Sequence, residues 1–279
     1  MKTSYEWLTT RSNTTPLFFI LGPCVIEDEY STLKTAEHIK QLATQHSLNV
    51  VFKSSFDKAN RTSLQNYRGA GLAQGLEILA KVRASFDLPI ITDIHETGHI
   101  DEIANVVDIL QIPAFLCRQT DLLVAAGLTQ KVIHVKKGQF LAPEIMESVY
   151  QKIATTGNKN IWGCERGYVM GYGNLVVDYR NFPIMKEFGY PLVFDATHSV
   201  QKPSAQGCSS GGDRTFVRPL AAAAVVQGIA GIFMEVHQEP EKALCDGPNS
   251  IRLSQLEDLV LYLKDLDTWT KEKSLPTIY

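Results

Sequence analysis

Short apolar runs, rich in β-branched and aromatic residues, recur along this chain roughly every 20 to 40 residues, each followed by a polar turn and a helix-spaced stretch. The runs are residues 17–21 (LFFIL), 49–56 (NVVFKSSF), 89–95 (PIITDIH), 106–112 (VVDILQI), 131–135 (KVIHV), 160–164 (NIWGC), 191–195 (PLVFD) and 231–235 (GIFME). Between them the apolar period lengthens to that of a helix. Over residues 29–46 it places Leu33, Ala36, Ile39, Leu42 and Ala43 on one face, and over 72–86 Leu72, Leu76, Leu79 and Val82. Shorter helices are predicted over 98–105, 119–126, 143–154, 182–188 and 217–228, and a last one over 251–266. Pro143 suits a helix start, where its missing N–H costs nothing.

Eight strands alternating with eight helices in 279 residues is the count and length of a single-domain α/β protein, a (β/α)8 TIM barrel. A doubly wound open sheet is the runner-up, but it usually has fewer strands, and no GxGxxG follows the first run. No linker divides the chain, so residues 1–279 read as one catalytic domain with a short N-terminal extension at about 1–12. The longest loop, 201–214 (QKPSAQGCSSGGDR), follows the seventh strand, where a lid over a barrel mouth would sit; the plain alternative is a surface loop.

Composition narrows the class. A net charge of −3 excludes a general nucleic-acid binder, which needs a basic surface. The longest apolar run, 220–226, is too short to span a membrane, and the first residues carry no apolar signal core. Five scattered cysteines without a CxxC pair fit a reducing compartment, hence a cytoplasmic protein.

Against that mildly acidic background, cations gather at the strand ends: Lys53, Lys58 and Arg61 after the second strand, Arg118 after the fourth, Lys136 after the fifth and Arg166 after the sixth. Any one of them alone is more often a surface charge. Together at one rim they repel, unless anionic ligands such as phosphates or a carboxylate offset them. Asn60, Thr62 and Ser63 add neutral donors. A second set, Cys24, His198, Glu235 and Asp246, follows strands one, seven and eight, which are neighbours in a closed ring. Thiolate, imidazole and carboxylates suit a divalent metal such as zinc, iron or manganese. Equally, a lone buried Cys is usually packing and a lone His a satisfied polar group. Asp93 ends the third strand, either to bind a substrate hydroxyl or orient a lysine, or to cap the following helix.

The motifs Lys58-Ala-Asn-Arg-Thr-Ser63, Thr92-Asp-Ile-His-Glu96, Gln111-Ile-Pro-Ala-Phe-Leu-Cys-Arg-Gln-Thr120, Lys136-Lys-Gly-Gln139, Cys164-Glu-Arg-Gly167 and Phe194-Asp-Ala-Thr-His-Ser199 resemble the 3-deoxy-D-manno-octulosonate-8-phosphate synthase family, over about residues 17–266. The related heptulosonate-7-phosphate synthases, which use erythrose 4-phosphate, usually carry Lys-Pro-Arg-Thr where this chain has Lys-Ala-Asn-Arg; they are the alternative. The resemblance implies condensation of phosphoenolpyruvate with D-arabinose 5-phosphate, in a homotetramer serving lipopolysaccharide synthesis. It implies that Lys58, Lys136 and Arg166 hold phosphoenolpyruvate with Lys53 and Gln111 beside it. Asn60, Arg61 and Thr62 would hold the pentose phosphate, Thr62 standing where the family more often has Ser. Arg118 matches an arginine that reaches a neighbouring subunit's site. Lys58, Asp93, Lys136 and His198 would be catalytic. Pro23-Cys24 resembles the metal-dependent members, which implies Cys24, His198, Glu235 and Asp246 as ligands, whereas Cys245-Asp-Gly-Pro248 resembles the loop of metal-independent ones. A catalytically idle barrel that senses a sugar phosphate is the non-enzyme alternative; the intact set of candidate ligands argues against it.

Overall fold

Alternation of side chains along eight strands builds two separate cores. The computed structural model describes residues 5–61, 63–170, 173–202 and 211–273. The strands are β1 (Phe18–Gly22), β2 (Asn49–Lys53), β3 (Ile90–Asp93), β4 (Ile109–Ile112), β5 (Val132–Lys136), β6 (Ile161–Glu165), β7 (Leu192–Asp195) and β8 (Gly231–His237). They pair in parallel in that order, and β8 closes the ring on β1, with Phe18 beside Gly231 and Gly22 beside Glu235. The crossovers that parallel pairing requires carry α1 (Glu29–Gln45), α2 (Leu72–Phe86), α3 (Ile100–Val106), α4 (Thr120–Leu128), α5 (Ile145–Ala154), α6 (Asn181–Lys186) and α7 (Val217–Val225); α8 (Leu256–Glu272) follows β8. This is a (β/α)8 barrel.

Outward residues such as Phe19, Val50, Phe52, Ile133 and Phe194 pack in one cluster with the helix faces, Ile39, Leu79 and Val260 among them. Inward residues of the same strands, Phe18, Val51, Ile91, Ile109, Val132, Trp162 and Val193, form the second cluster. Burial on both faces is why each strand reads as a continuous apolar run. The turn Glu6–Leu8 closes the lower end. Leu8 is fully buried there, and Phe18 lies 4.6 Å from Trp162 and 6.0 Å from Trp7 between ring centroids. Gly231 makes room for Phe18, since a Cβ at that position would stand 2.7 Å from its ring.

Among the boundaries that differ from the sequence reading, two shape the mouth. Strand β2 ends at Lys53 rather than at residue 56, because the chain leaves the sheet there to reach the mouth, holding on through a single bridge between Val25 and Ser55. The last helix starts at Leu256 rather than at 251. Strand β8 runs two residues further than its apolar pattern, and Ile251–Arg252 pairs with that extension before the helix begins. The long loop after β7 opens and closes with an antiparallel pair, Gln201–Lys202 against Gly211–Gly212; residues 203–210 lie outside the described residues. Among the described residues no helix is long and apolar enough to cross a membrane.

Candidate active site

The period that fills the barrel's lower end with apolar groups delivers polar ones at its upper end. Two residues beyond Val51, Ile91, Ile109, Val193 and Phe233 stand Lys53, Asp93, Gln111, Asp195 and Glu235, and four beyond Val132 and Trp162 stand Lys136 and Arg166. All seven are buried. Strand β1 offers only Gly22, where a Cβ would fall 1.9 Å from the Lys53 carbonyl oxygen.

Lys53 donates to the Cys24 carbonyl and the Ser55 hydroxyl, each at 2.9 Å, and its Nζ lies 3.4 Å from Oε1 of Glu235. Ser55 Oγ and Gln111 Nε2 both donate to Asp93, and Gln111 Oε1 is 3.0 Å from Nδ1 of His134. Asp93 is thus part of the mouth and caps no helix; Glu96 occupies the position before the next turn. Burial would raise the Asp93 pKa, but Lys53, Lys58, His95 and the Ser55 hydrogen bond outweigh it and hold the carboxyl well below its usual range. Burial and the neighbouring Lys136 push His134 down to about 3, so its imidazole is neutral.

Lys136 pairs with Asp195 and rests over the Phe233 ring, 3.3 Å from its centroid. Lys53 Nζ is 5.6 Å from the same centroid, and the imidazole of His198 lies 5.7 Å from it, centre to centre. Phe233 is therefore the floor of the site. Asp195 stands 2.8 Å from Nδ1 of His198 and accepts from its backbone N–H at 2.9 Å. Burial works against its charge, yet His198 and Lys136 keep it ionised, its pKa well below the ordinary value.

With Nδ1 on the Asp195 side, Nε2 of His198 faces Glu235 Oε1 at 3.4 Å and Asp246 Oδ2 at 3.7 Å. Asp246 Oδ2 is 3.4 Å from Cys24 Sγ, and Cys24 Sγ is 2.8 Å from Cys245 Sγ. Asp246 thus links Cys24 on one side to His198 and Glu235 on the other. Their donor atoms fall in two groups, Cys24–Cys245–Asp246 and His198–Glu235–Asp246, each within 4.8 Å. They fit a divalent cation on two further counts. Glu235 is completely buried with Oε2 lacking a hydrogen-bond partner among the described residues, an acceptor that burial leaves unsatisfied. Asp195 on Nδ1 orients His198 as a carboxylate orients a metal-binding imidazole.

The expected excess of cations is corrected by the pairing. Lys53 and Lys58 both face Glu235, Lys58 at 3.8 Å, and Lys136 faces Asp195. Carboxylates from strands further round the ring already offset the ammonium groups. Of the guanidinium groups beside the network, Arg166 and Arg61 have no carboxylate in ion-pair contact among the described residues. Arg166, 6 % exposed, donates to the Gln201 amide at 2.9 Å, and Arg61 donates to the carbonyls of Tyr67 and Leu244 at 2.9 and 2.8 Å. Asn60 and Arg118 are exposed and stand apart from this buried network, and Thr62 lies outside the described residues. Ser55, Phe233, Asp195 and Cys245 were not singled out from the sequence. Phe233 and Asp195 carry a readable signal, since each shares a strand face with inward-pointing residues; Ser55 carries none, and Cys245 only its place in a loop motif.

A closed barrel with a buried ionic network at its mouth, joined to a mixed sulfur, nitrogen and oxygen donor set, defines a barrel enzyme. The profile of the DAHP synthetase I family matches residues 9–272. The chain is 57% identical over 256 residues to the 2-dehydro-3-deoxyphosphooctonate aldolase of Pelobacter propionicus, covering 92% of this chain and 94% of that one. It is 56% identical over 256 residues to the protein of the same name from Geobacter sulfurreducens, with 92% and 94% covered. To that of Dichelobacter nodosus it is 55% identical over 263 residues, with 94% and 95% covered. The chain belongs to the DAHP synthetase I family, in the group of the 2-dehydro-3-deoxyphosphooctonate aldolases.

Proposed function

We propose that this chain condenses phosphoenolpyruvate with D-arabinose 5-phosphate and water, giving 3-deoxy-D-manno-octulosonate 8-phosphate and inorganic phosphate. The observation that carries the reading is Arg166, a buried guanidinium that among the described residues donates only to an amide oxygen. A buried cation without an anion is unfavourable until an anionic ligand arrives. The names of the relatives point to the same product.

In this reading Lys58, Lys136 and Arg166 hold phosphoenolpyruvate, with Lys53 and Gln111 beside it. Asn60, Arg61 and Thr62 hold the pentose phosphate. C3 of the enol bonds to the aldehyde carbon while the aldehyde oxygen takes up a proton. Water adds at C2, and the C2–O bond to phosphate then breaks. The fixed cations stabilise charge on phosphate and carboxylate throughout. Lys58, Asp93, Lys136 and His198 are the catalytic groups in this reading. Cys24, His198, Glu235 and Asp246 hold a divalent metal, zinc, iron or manganese, which when bound supplies Lewis-acid polarisation.

We further propose a cytoplasmic homotetramer acting in lipopolysaccharide synthesis, in which Arg118 reaches a neighbouring subunit's site. The exposed apolar side chains Phe115, Phe140, Val169 and Met170, in the segments after β4, β5 and β6, support such an assembly. The whole chain then acts as one catalytic domain.

The test is phosphate release from phosphoenolpyruvate with each sugar in turn. Turnover with D-arabinose 5-phosphate is expected, lost on chelation and restored by added zinc, iron or manganese. Preference for erythrose 4-phosphate would reassign the enzyme to the heptulosonate reaction. Sugar binding without phosphate release would make it a sensor. Full activity of verified metal-free protein would remove the metal alone.

A further inference from the structure

The pairing of Cys24 with Cys245 is not used by the mechanism above. Cys245 is 5 % exposed, and the small apolar cluster around it contains only Cys24 and Val25, with Tyr67 alongside. Its sulfur lies 2.8 Å from Cys24 Sγ, inside the sum of two sulfur van der Waals radii, so both thiols lean toward one point. That point is shared: Cys24, Cys245 and Asp246 form one group of donors within 4.8 Å, and Asp246 belongs also to the group with His198 and Glu235.

Local backbone explains how two consecutive residues present donors to one centre. Neighbouring side chains normally diverge, but Asp246 has φ 48° and ψ 27°, the left-handed conformation that Asp tolerates better than most residues. The turn is held from both sides. A Cβ on Gly247 would stand 2.3 Å from the Pro240 carbonyl oxygen, Arg61 donates to the Leu244 carbonyl at 2.8 Å, and the Leu244 N–H donates to Glu27 at 2.7 Å. The loop is thus built to hold Cys245 and Asp246 against Cys24.

We propose that Cys245 is a second sulfur donor of the metal site, so that a four-coordinate ion would take both thiolates with two of the donors His198, Glu235 and Asp246. The proposal rests on the metal reading of the previous section and sharpens it. Two sulfurs on one zinc, each about 2.3 Å from it, stand about 3.8 Å apart at a tetrahedral angle, so the ion would part the two thiols by rather less than the width of a methyl group. A second thiolate shifts the preference of the site away from manganese and toward thiophilic ions such as zinc or cadmium.

The probe is cobalt(II) added to metal-free, reduced protein, read as the near-ultraviolet sulfur-to-cobalt charge-transfer band, whose intensity counts thiolates. Cys245→Ser and Cys24→Ser are each expected to lower the band by about half, and the double variant to abolish it. Zinc X-ray absorption of the unaltered protein, which needs no variant to fold, is expected to show two sulfur scatterers at about 2.3 Å. A band at full intensity in Cys245→Ser, or a single sulfur around zinc, overturns the role of Cys245 and leaves the metal site standing. No cobalt band and no retained zinc in the unaltered protein overturn both.

Discussion

The two ends of the barrel are made by the same eight strands and obey opposite rules. At the lower end Phe18, Val51, Ile109, Val132, Trp162 and Val193 fill the ring, beneath them Leu8 closes it, and apart from the Trp162 indole N–H these side chains carry no polar group. Two or four residues further up seven of the strands the interior holds Lys53, Asp93, Gln111, Lys136, Arg166, Asp195 and Glu235, all buried too, and nearly every one is answered by another. Burial alone therefore does not separate core from site. What separates them is whether a side chain removed from the ring leaves a void or leaves a charge without its counterpart.

The comparison can be broken by variants at the two levels. Trp162→Ala, at the lower end, is expected to have the largest effect on folding, a loss of about 3–5 kcal/mol in urea unfolding, with turnover of the folded fraction unchanged. A fall in turnover at undiminished stability would mean that the lower end is part of the machinery. Lys136→Met keeps the aliphatic stem over Phe233 and removes the charge. Phosphate release should fall about a hundred- to thousandfold. Circular dichroism should remain that of the folded barrel, since His198 still faces Asp195. Turnover within tenfold of the unaltered protein would remove Lys136 from the reaction.

The smallest effect is a slope with pH. His134 sits between the two levels with its pKa pushed down to about 3 by burial and Lys136. The unfolded chain binds that proton first, near pH 6.5, and the folded one only near 3. Stability from this residue is thus fully present above about 6.5 and declines as pH falls toward 3, by up to about 1.4 kcal/mol per unit. The urea midpoint measured from pH 7 to 4.5 should fall more steeply for the unaltered protein than for His134→Phe; equal slopes would show that the imidazole is protonated in place.

Much of this was legible in the chain because a parallel barrel writes itself simply. Strands buried on both faces read as apolar runs, and the polar residue that ends each run marks the mouth. That logic found Lys53, Asp93, Lys136, Arg166 and Glu235. It does not distinguish Lys136 from Lys137. Adjacent in sequence, they leave the strand on opposite sides, and Lys137 is fully buried behind the site, 3.5 Å from Glu165 and 3.6 Å from the centre of the Tyr168 ring. Nor does it foresee that carboxylates on other strands balance the lysines, because partnership across a ring depends on closure and register rather than on spacing. Cys245 was visible only as part of a loop motif; its place beside Cys24, 221 residues away, belongs to three-dimensional structure alone.

Phe233 has a consequence of its own. Lys136 sits directly on its face and Lys53 stands nearby, so one side of each ammonium group is turned to carbon instead of to solvent. Part of the hydration that a negatively charged guest would have to strip away is missing before it arrives. The ring thus acts as a dry hearth beneath the reacting groups, and its flat geometry sets the height at which a guest can settle.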